Sequence, residues 1–498
     1  TGDKTVTSQP LSTNDDIDHL AKSTTSLVAE LLTESNRRRN RRDQANRKRF
    51  ARLLEDPAAV ALTMSLTDEV MRMSSMKHAA RTLRRSAKTA TRSGLGTFDY
   101  VGIKAASLAS YIFPTLVMKI VHQRVRMAAN GIILPAENSL LSRHINKRND
   151  EEARLNINVL GEAVLGEHEA KQRLASVIEM IQRPEVNYAS VKISSIASQL
   201  ITIDYLGSIE RVSERLRDLY RQASATDTFI NLDMEEFRDL EITVAVFKKL
   251  LSEPEFERMN AGIVLQAYLP ESHLVFADLV TWAQERFARS GGTVKIRLVK
   301  GANLAMEKAE AELHGWVPAP YPTKSDVDAS YARLIDVALN PAHSKAVRIG
   351  IASHNLFHLA WAIEVAKVRG VLEQLDIEML EGMANAEALA VAAQTGSVLL
   401  YTPVTQHDDF PAAVAYLVRR LDENTSTENY LRASFDMELN NEKYKEQERR
   451  FLDSIAERHT ISTKSRRHLL VREDSSKSFD EDLFLNQSDC DATKQNFP

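Results

Sequence analysis

The run 294-VKIRLV, continued by 300-KGA, decides the fold. It is short, apolar and rich in β-branched residues, and it closes on a lysine and a glycine. That is the pattern of a strand buried on both faces and ending at a turn. Seven similar runs flank it: 156-NINVL, 188-YASVKI, 228-TFINLD and 262-GIVLQAY before it, and 347-VRIGIAS, 375-LDIEML and 397-SVLLYTP after it. Amphipathic helix-length stretches such as 209–223 and 234–251 separate them. Strands alternating with helices form parallel βαβ units. Eight in succession predict a closed (β/α)8 barrel, and the span 156–423 is close to the roughly 250 residues typical of one. The rival is an open doubly wound sheet, but no G-x-G-x-x-G follows the first strand.

Outward from the barrel the pattern changes. Residues 1–16 are small and polar without periodicity, and are expected to be disordered. From 17 to about 150, apolar residues recur at helical spacing (Leu27, Val28, Leu31, Leu32; then Phe50, Leu53, Leu54), predicting a helical arm and helical domain. Within it lies 37-RRRNRRDQANRKR, with eight basic residues and one acid. The uncharged stretch Ala105–Met118 is shorter than the roughly 20 residues of a membrane span and contains Pro114, so it is read as a buried or partner-covering helix. The barrel is expected over 151–436. Residues 437–498 predict a charged helix and then a Ser/Asp/Asn-rich tail.

The 498-residue chain is 43% hydrophobic and 27% charged, with a formal net charge of −4. That balance supplies no global drive towards nucleic acid or an anionic membrane. Its one cysteine, Cys490, rules out an intrachain disulfide and fits a reducing, cytoplasmic compartment. Thr1 to Asp16 does not read as a secretory leader.

A barrel of this kind works at the C-terminal ends of its strands. Polar residues gather there: Lys192, Asp233 followed by Glu235 and Glu236, Gln266, Arg297, Lys300, His354, Asn355 and Tyr401. A cation inside an apolar strand is costly unless paired, so several at equivalent places imply a shared polar site. Each has an ordinary reading as well. Lys192 or Arg297 fits a structural ion pair, and Asp233 with Glu236 fits a capping box. His354 and His358 are four apart, but without H-E-x-x-H or a third ligand no metal site is expected. Past the last strand, Asp409 and Pro411 start a helix carrying Arg419, Arg420 and Glu423. Two arginines at a barrel mouth suit bidentate capture of a carboxylate; the plainer reading is a solvated helix face with an Arg–Glu pair.

The motifs 161-GEA, 191-VKIS, 231-NLDMEE, 264-VLQAY, 296-IRLVKGA, 352-ASHN, 380-LEGM, 401-YTPV and 416-YLVRRLDEN occur in this order. Together they resemble the proline dehydrogenase domain of bacterial proline utilization A over roughly 156–430. The resemblance implies a distorted barrel whose last helix caps the mouth. It implies non-covalent FAD, oxidation of L-proline to Δ1-pyrroline-5-carboxylate, and delivery of electrons to a membrane quinone. It implies that Arg419 and Arg420 bind the proline carboxylate beside Lys192, and that Leu380 and Tyr401 pack on the ring. Asp233 would hydrogen-bond within the site, and Glu162 would act as a gate pairing with Arg419. Lys192, Asp233, Tyr401, Arg419 and Arg420 form the expected catalytic set. Gln266, Arg297, Val299, Lys300, Gly301, Ala302, Leu304, Ser353, His354, Asn355 and Glu423 would contact FAD.

Two departures stand out. Asn303 and Leu304 follow K-G-A where the family often has aromatic residues, so the substrate wall at Asn303 and the flavin cover are expected to differ. Glu381 stands where the family commonly has a histidine. The resemblance further implies an NAD-dependent glutamate-semialdehyde dehydrogenase domain downstream in a longer protein, and peripheral contact with the inner face of the cytoplasmic membrane. Two other functions compete: a Schiff-base lyase or aldolase using Lys192 or Lys300, and nucleic-acid binding through 37–49. No aromatics interleave with those arginines, which favours a solvated helix for that run.

Overall fold

All eight predicted runs are strands. In this computed structural model they are β1 (Ala153–Val159), β2 (Tyr188–Lys192), β3 (Phe229–Asp233), β4 (Ala261–Gln266), β5 (Val294–Val299), β6 (Val347–Ala352), β7 (Leu375–Leu380) and β8 (Val398–Thr405). The structure describes residues 14–129, 131–161, 164, 166–198, 200–201, 204–406, 410, 413, 416 and 429–467. Every neighbouring pair is parallel, and β8 pairs with both β7 and β1, so the sheet closes on itself. The doubly wound alternative is thereby excluded. A two-residue strand, Leu134–Pro135, adds to the end of β8.

Closure buries both faces of each strand, which is why the runs are nearly continuous in apolar residues rather than alternating. Ile230, Leu232, Ile263, Ile296, Leu298 and Ile351 are all fully buried in one continuous core. Register then sets the mouth of the barrel. Lys192 lies beside Asp233, and Leu380 beside Tyr401, which in turn neighbours Asn156.

Helices occupy most of 14–150. The first, α1 (Asn14–Arg38), starts within the stretch expected to lack structure. It packs on the helices Leu356–Val368 and Asn385–Thr395 outside the barrel. Asn40 then begins α2 (Arg41–Glu55) with a capping box to Asp43, which satisfies its first free amides.

The stretch Ala105–Met118 corrects the sequence reading. It is not one helix and is mostly not buried. The chain breaks at Pro114, which has no amide hydrogen to donate and instead opens a new helix. The two helices are Thr97–Ala109 and Pro114–Ala129. Thr97–Ala109 buries no residue, and Leu108, Ile112 and Leu116 are 72%, 73% and 59% exposed. At the other end, the expected charged helix is Glu442–Glu457; it buries Tyr444, Phe451 and Ile455 against the core. Residues from 468 onward lie outside the described residues.

Candidate active site

At the C-terminal mouth, β3 ends on Asp233, buried and contacted from three directions. Its Oδ1 accepts hydrogen bonds from Asn231 Nδ2 at 3.0 Å and Arg297 Nη1 at 3.1 Å. Its Oδ2 accepts from the Tyr401 hydroxyl at 2.7 Å. Asn158 Nδ2 in turn donates to that hydroxyl. The Arg297 guanidinium sits 4.7 Å from the Tyr401 ring centroid, close enough for a cation–π contact. Three predicted residues from three strands therefore form one connected group.

Electrostatics follow from that packing. Burial raises the Tyr401 phenol well above its usual range, and the Asp233 carboxylate raises it further. Tyr401 is thus a neutral donor. Burial opposes the charge on Arg297, but Glu378 and Asp233 outweigh it and keep the guanidinium firmly protonated.

Lys192 lies at the rim of the same mouth and pairs with Glu235 Oε2 at 2.9 Å. The backbone carbonyl of Glu235 accepts from Gln266 Nε2 at 3.1 Å. Gln266 Oε1 is buried with no hydrogen bond aligned onto it. Lys300 follows β5 and pairs with Asp328, which Lys324 also contacts at 2.5 Å. Burial pulls the Lys300 ammonium down to about 8 against the attraction of Asp328.

Gly301 explains the glycine in K-G-A. Its φ is +127°, and a Cβ there would lie 2.5 Å from the Tyr268 ring. Only glycine allows both. Val299 and Ala302 flank this turn; Asn303 is buried and precedes the helix Leu304–His314. Ser353 Oγ accepts from the Asn355 amide at 3.0 Å, and Asn355 caps the helix Leu356–Val368 through the Phe357 amide at 3.0 Å. His354 Nε2 accepts from the Leu380 amide at 3.1 Å. His358 instead packs edge-on against Tyr331 and Phe451.

Glu162, Arg419, Arg420 and Glu423 lie outside the described residues. Glu381 is buried and paired with Arg148 and His144, both on the helix Asn138–Asp150. The acid at this position therefore serves to tie that helix to the end of β7.

Sequence reasoning missed Asn158, Asn231, Lys295, Asp376 and Glu378. The signal was present in β5 and β7. Lys295 and Arg297, and likewise Asp376 and Glu378, are two apart and share a face of their strand.

The basic run 37–49 holds the arm to the barrel. Arg39 and Arg47 both contact Glu387 Oε1, at 2.5 and 2.8 Å, and Arg49 pairs with Asp99 at 2.8 Å. Arg37 and Arg38 pair with Glu34.

The chain is thus a closed (β/α)8 barrel with a connected acid–arginine–tyrosine group at its C-terminal mouth, the end where barrels of this class carry their sites. The proline dehydrogenase family profile matches residues 141–433, and this chain belongs to that family. It is 31% identical to the "Bifunctional protein PutA" of Escherichia coli (strain K12) over 50% of this chain and 19% of that protein. It is 26% identical to "Proline dehydrogenase 2" of Bacillus subtilis over 60% of this chain and 88% of that protein. Among solved structures, proline utilization A (PutA) from Corynebacterium freiburgense is 48% identical, with a TM-score of 0.63, over 69% of this chain and 34% of that one. The chain thus spans about a fifth of the length of the curated PutA relatives it matches and about a third of that solved chain.

Proposed function

We propose that this chain oxidises L-proline to Δ1-pyrroline-5-carboxylate with FAD as the bound oxidant and passes the electrons to a quinone. The observation that carries the reading is the Asp233–Arg297–Tyr401 group at the C-terminal mouth of a proline dehydrogenase-family barrel.

The residues fit a flavin. Arg297 and Lys300 offer cations beside a turn that Gly301 keeps free of a side chain. Gln266 Oε1 is a buried acceptor with no aligned donor. Val299, Ala302, Leu304, Ser353, His354, Asn355 and Glu423 are assigned to the same cofactor surface. FAD supplies the hydride acceptor when bound. The protein's part is to hold the ring over it. Arg419, Arg420 and Lys192 take the carboxylate, Leu380 and Tyr401 pack on the ring, Asn303 lines its wall, and Glu162 gates entry. Asp233 locks Tyr401 and Arg297 in place, and the permanent charge of Arg297 stabilises negative charge arising nearby. At Lys192 the Schiff-base alternative is disfavoured by the ion pair with Glu235.

The second catalytic step, by an NAD-dependent glutamate-semialdehyde dehydrogenase domain in a longer protein, belongs to this reading. So does peripheral contact of a cytoplasmic protein with the membrane that holds the quinone. Among the described residues no helix is long and apolar enough to cross a membrane. The exposed apolar side chains of Thr97–Ala109 and Pro114–Ala129 support surface contact instead.

The test is direct. Protein reconstituted with FAD should be yellow, and anaerobic L-proline should bleach its long-wavelength band. Absence of bound flavin after reconstitution overturns the reading.

A further inference from the structure

Beneath Arg297 the barrel interior holds a run of alternating charges that the reading above does not use. Glu378 Oε2 lies 2.9 Å from Arg297 Nε, and Glu378 Oε1 lies 2.6 Å from Lys295 Nζ. Lys295 Nζ also lies 2.9 Å from Asp376 Oδ2. Asp376 ends the run, meeting Arg154 at 2.7 Å and Arg348 at 3.3 Å, where those arginines are 43% and 40% exposed. Between the ends, the side chains of Glu378 and Lys295 are 1% and 2% exposed.

Two facts mark this as more than a stray core ion pair. Space is reserved for it: a Cβ on Gly350 of β6 would lie 2.4 Å from Glu378 Oε1 and 2.9 Å from Lys295 Cε. Both Glu378 contacts are also close and shielded from water. Charge in a dry interior acts over longer distances than at a surface. Lys295 stays protonated because Glu378 and Asp376 overcome its burial.

We infer that Lys295 and Glu378 are positioning residues that orient Arg297 and set the electrostatic potential at the cofactor site. This rests on the flavin reading above. Glu378 holds one side of the guanidinium while Asp233 holds another, so the arginine cannot turn away from the mouth. Glu378 also offsets part of its charge, and Lys295 offsets Glu378.

The test compares the midpoint potential of bound FAD, by anaerobic dye-coupled titration at pH 8, in four proteins. Glu378→Gln removes a negative charge and should raise the potential. Lys295→Met removes a positive charge and should lower it. Each shift should correspond to a change on the order of tenfold in the ratio of affinities for reduced and oxidised flavin. The double variant removes both charges and should return towards the wild-type value. Shifts in the same direction, no shifts, or a double variant worse than either single one would overturn the inference, because loss of packing alone has no sign. Should a buried single variant fail to fold, Asp376→Asn and Arg348→Gln at the open end decide the matter: smaller opposite shifts support it, and equal or absent shifts overturn it. A wild-type protein that takes up no FAD overturns the flavin reading itself. A wild type that is bleached by proline while the variants show no ordered shift overturns only the role of Lys295 and Glu378.

Discussion

Asp239 shows what a single buried acid does to this fold. It stands just before the helix Leu240–Leu251, 6% exposed, and its side chain makes no cap hydrogen bond. Burial, reinforced by the charge of Glu236, pushes its carboxyl up to about 7. A carboxyl raised above its unfolded value of about 4 favours the protonated folded state. Its contribution to stability is therefore complete below about pH 4 and is lost as pH rises through 7. Asp239→Asn is neutral throughout, so it should be more stable than wild type at pH 8, by on the order of 2 kcal/mol. Urea unfolding at pH 5 and pH 8 checks this; an unchanged difference between the two pH values would count against it. The case also marks a limit of sequence reading. That Asp233 and Arg297 belong to a polar site was legible, because each interrupts an apolar run. Which charge meets which was not, because pairing depends on register between strands far apart in sequence. Lys295 went unnoticed for that reason, although its spacing from Arg297 placed both on one face.

Among the elements, the arm is the instructive one. A run of eight basic residues invites a nucleic-acid reading, yet Arg39 and Arg47 converge on Glu387, whose side chain is only 9% exposed. Arg47 also donates to the Phe435 carbonyl at 3.1 Å, so one side chain joins α2, the helix Asn385–Thr395 and the segment after the helix Tyr430–Ser434. Replacing both arginines with alanine leaves a buried acid without its cations and should cost about 3–5 kcal/mol. Adding Glu387→Gln should recover much of that loss. Thermal unfolding of the three proteins measures it, and a double variant as stable as wild type would show that the arm is held by apolar packing alone. Strand positions were legible because burial on both faces writes itself as continuous apolar runs. The arm's docking was not, since a sequence shows how many charges there are but not where their partners lie.

For the whole molecule, the exposed apolar face is the feature without an internal explanation. Phe98, on the helix Thr97–Ala109, is 95% exposed, and Tyr111, in the turn before Pro114–Ala129, is 69% exposed. If this face meets the membrane that holds the quinone, then Phe98→Ser combined with Ile112→Ser should weaken co-sedimentation with anionic vesicles by about tenfold or more. Proline-dependent bleaching should stay intact in the same protein. Equal co-sedimentation of variant and wild type would remove the face from membrane contact.

The seam between the first and last strands has a consequence for how the protein is made. Ala153 finds its partner in Val398, so the ring cannot shut until nearly all of it has left the ribosome. Until then the nascent sheet presents bare edges at β1 and at its newest strand, open to mispairing with other chains. Closing so distant a contact is slow. The residues that seal the seam also bring Asn158 to Tyr401, so the polar mouth is complete only in a closed ring.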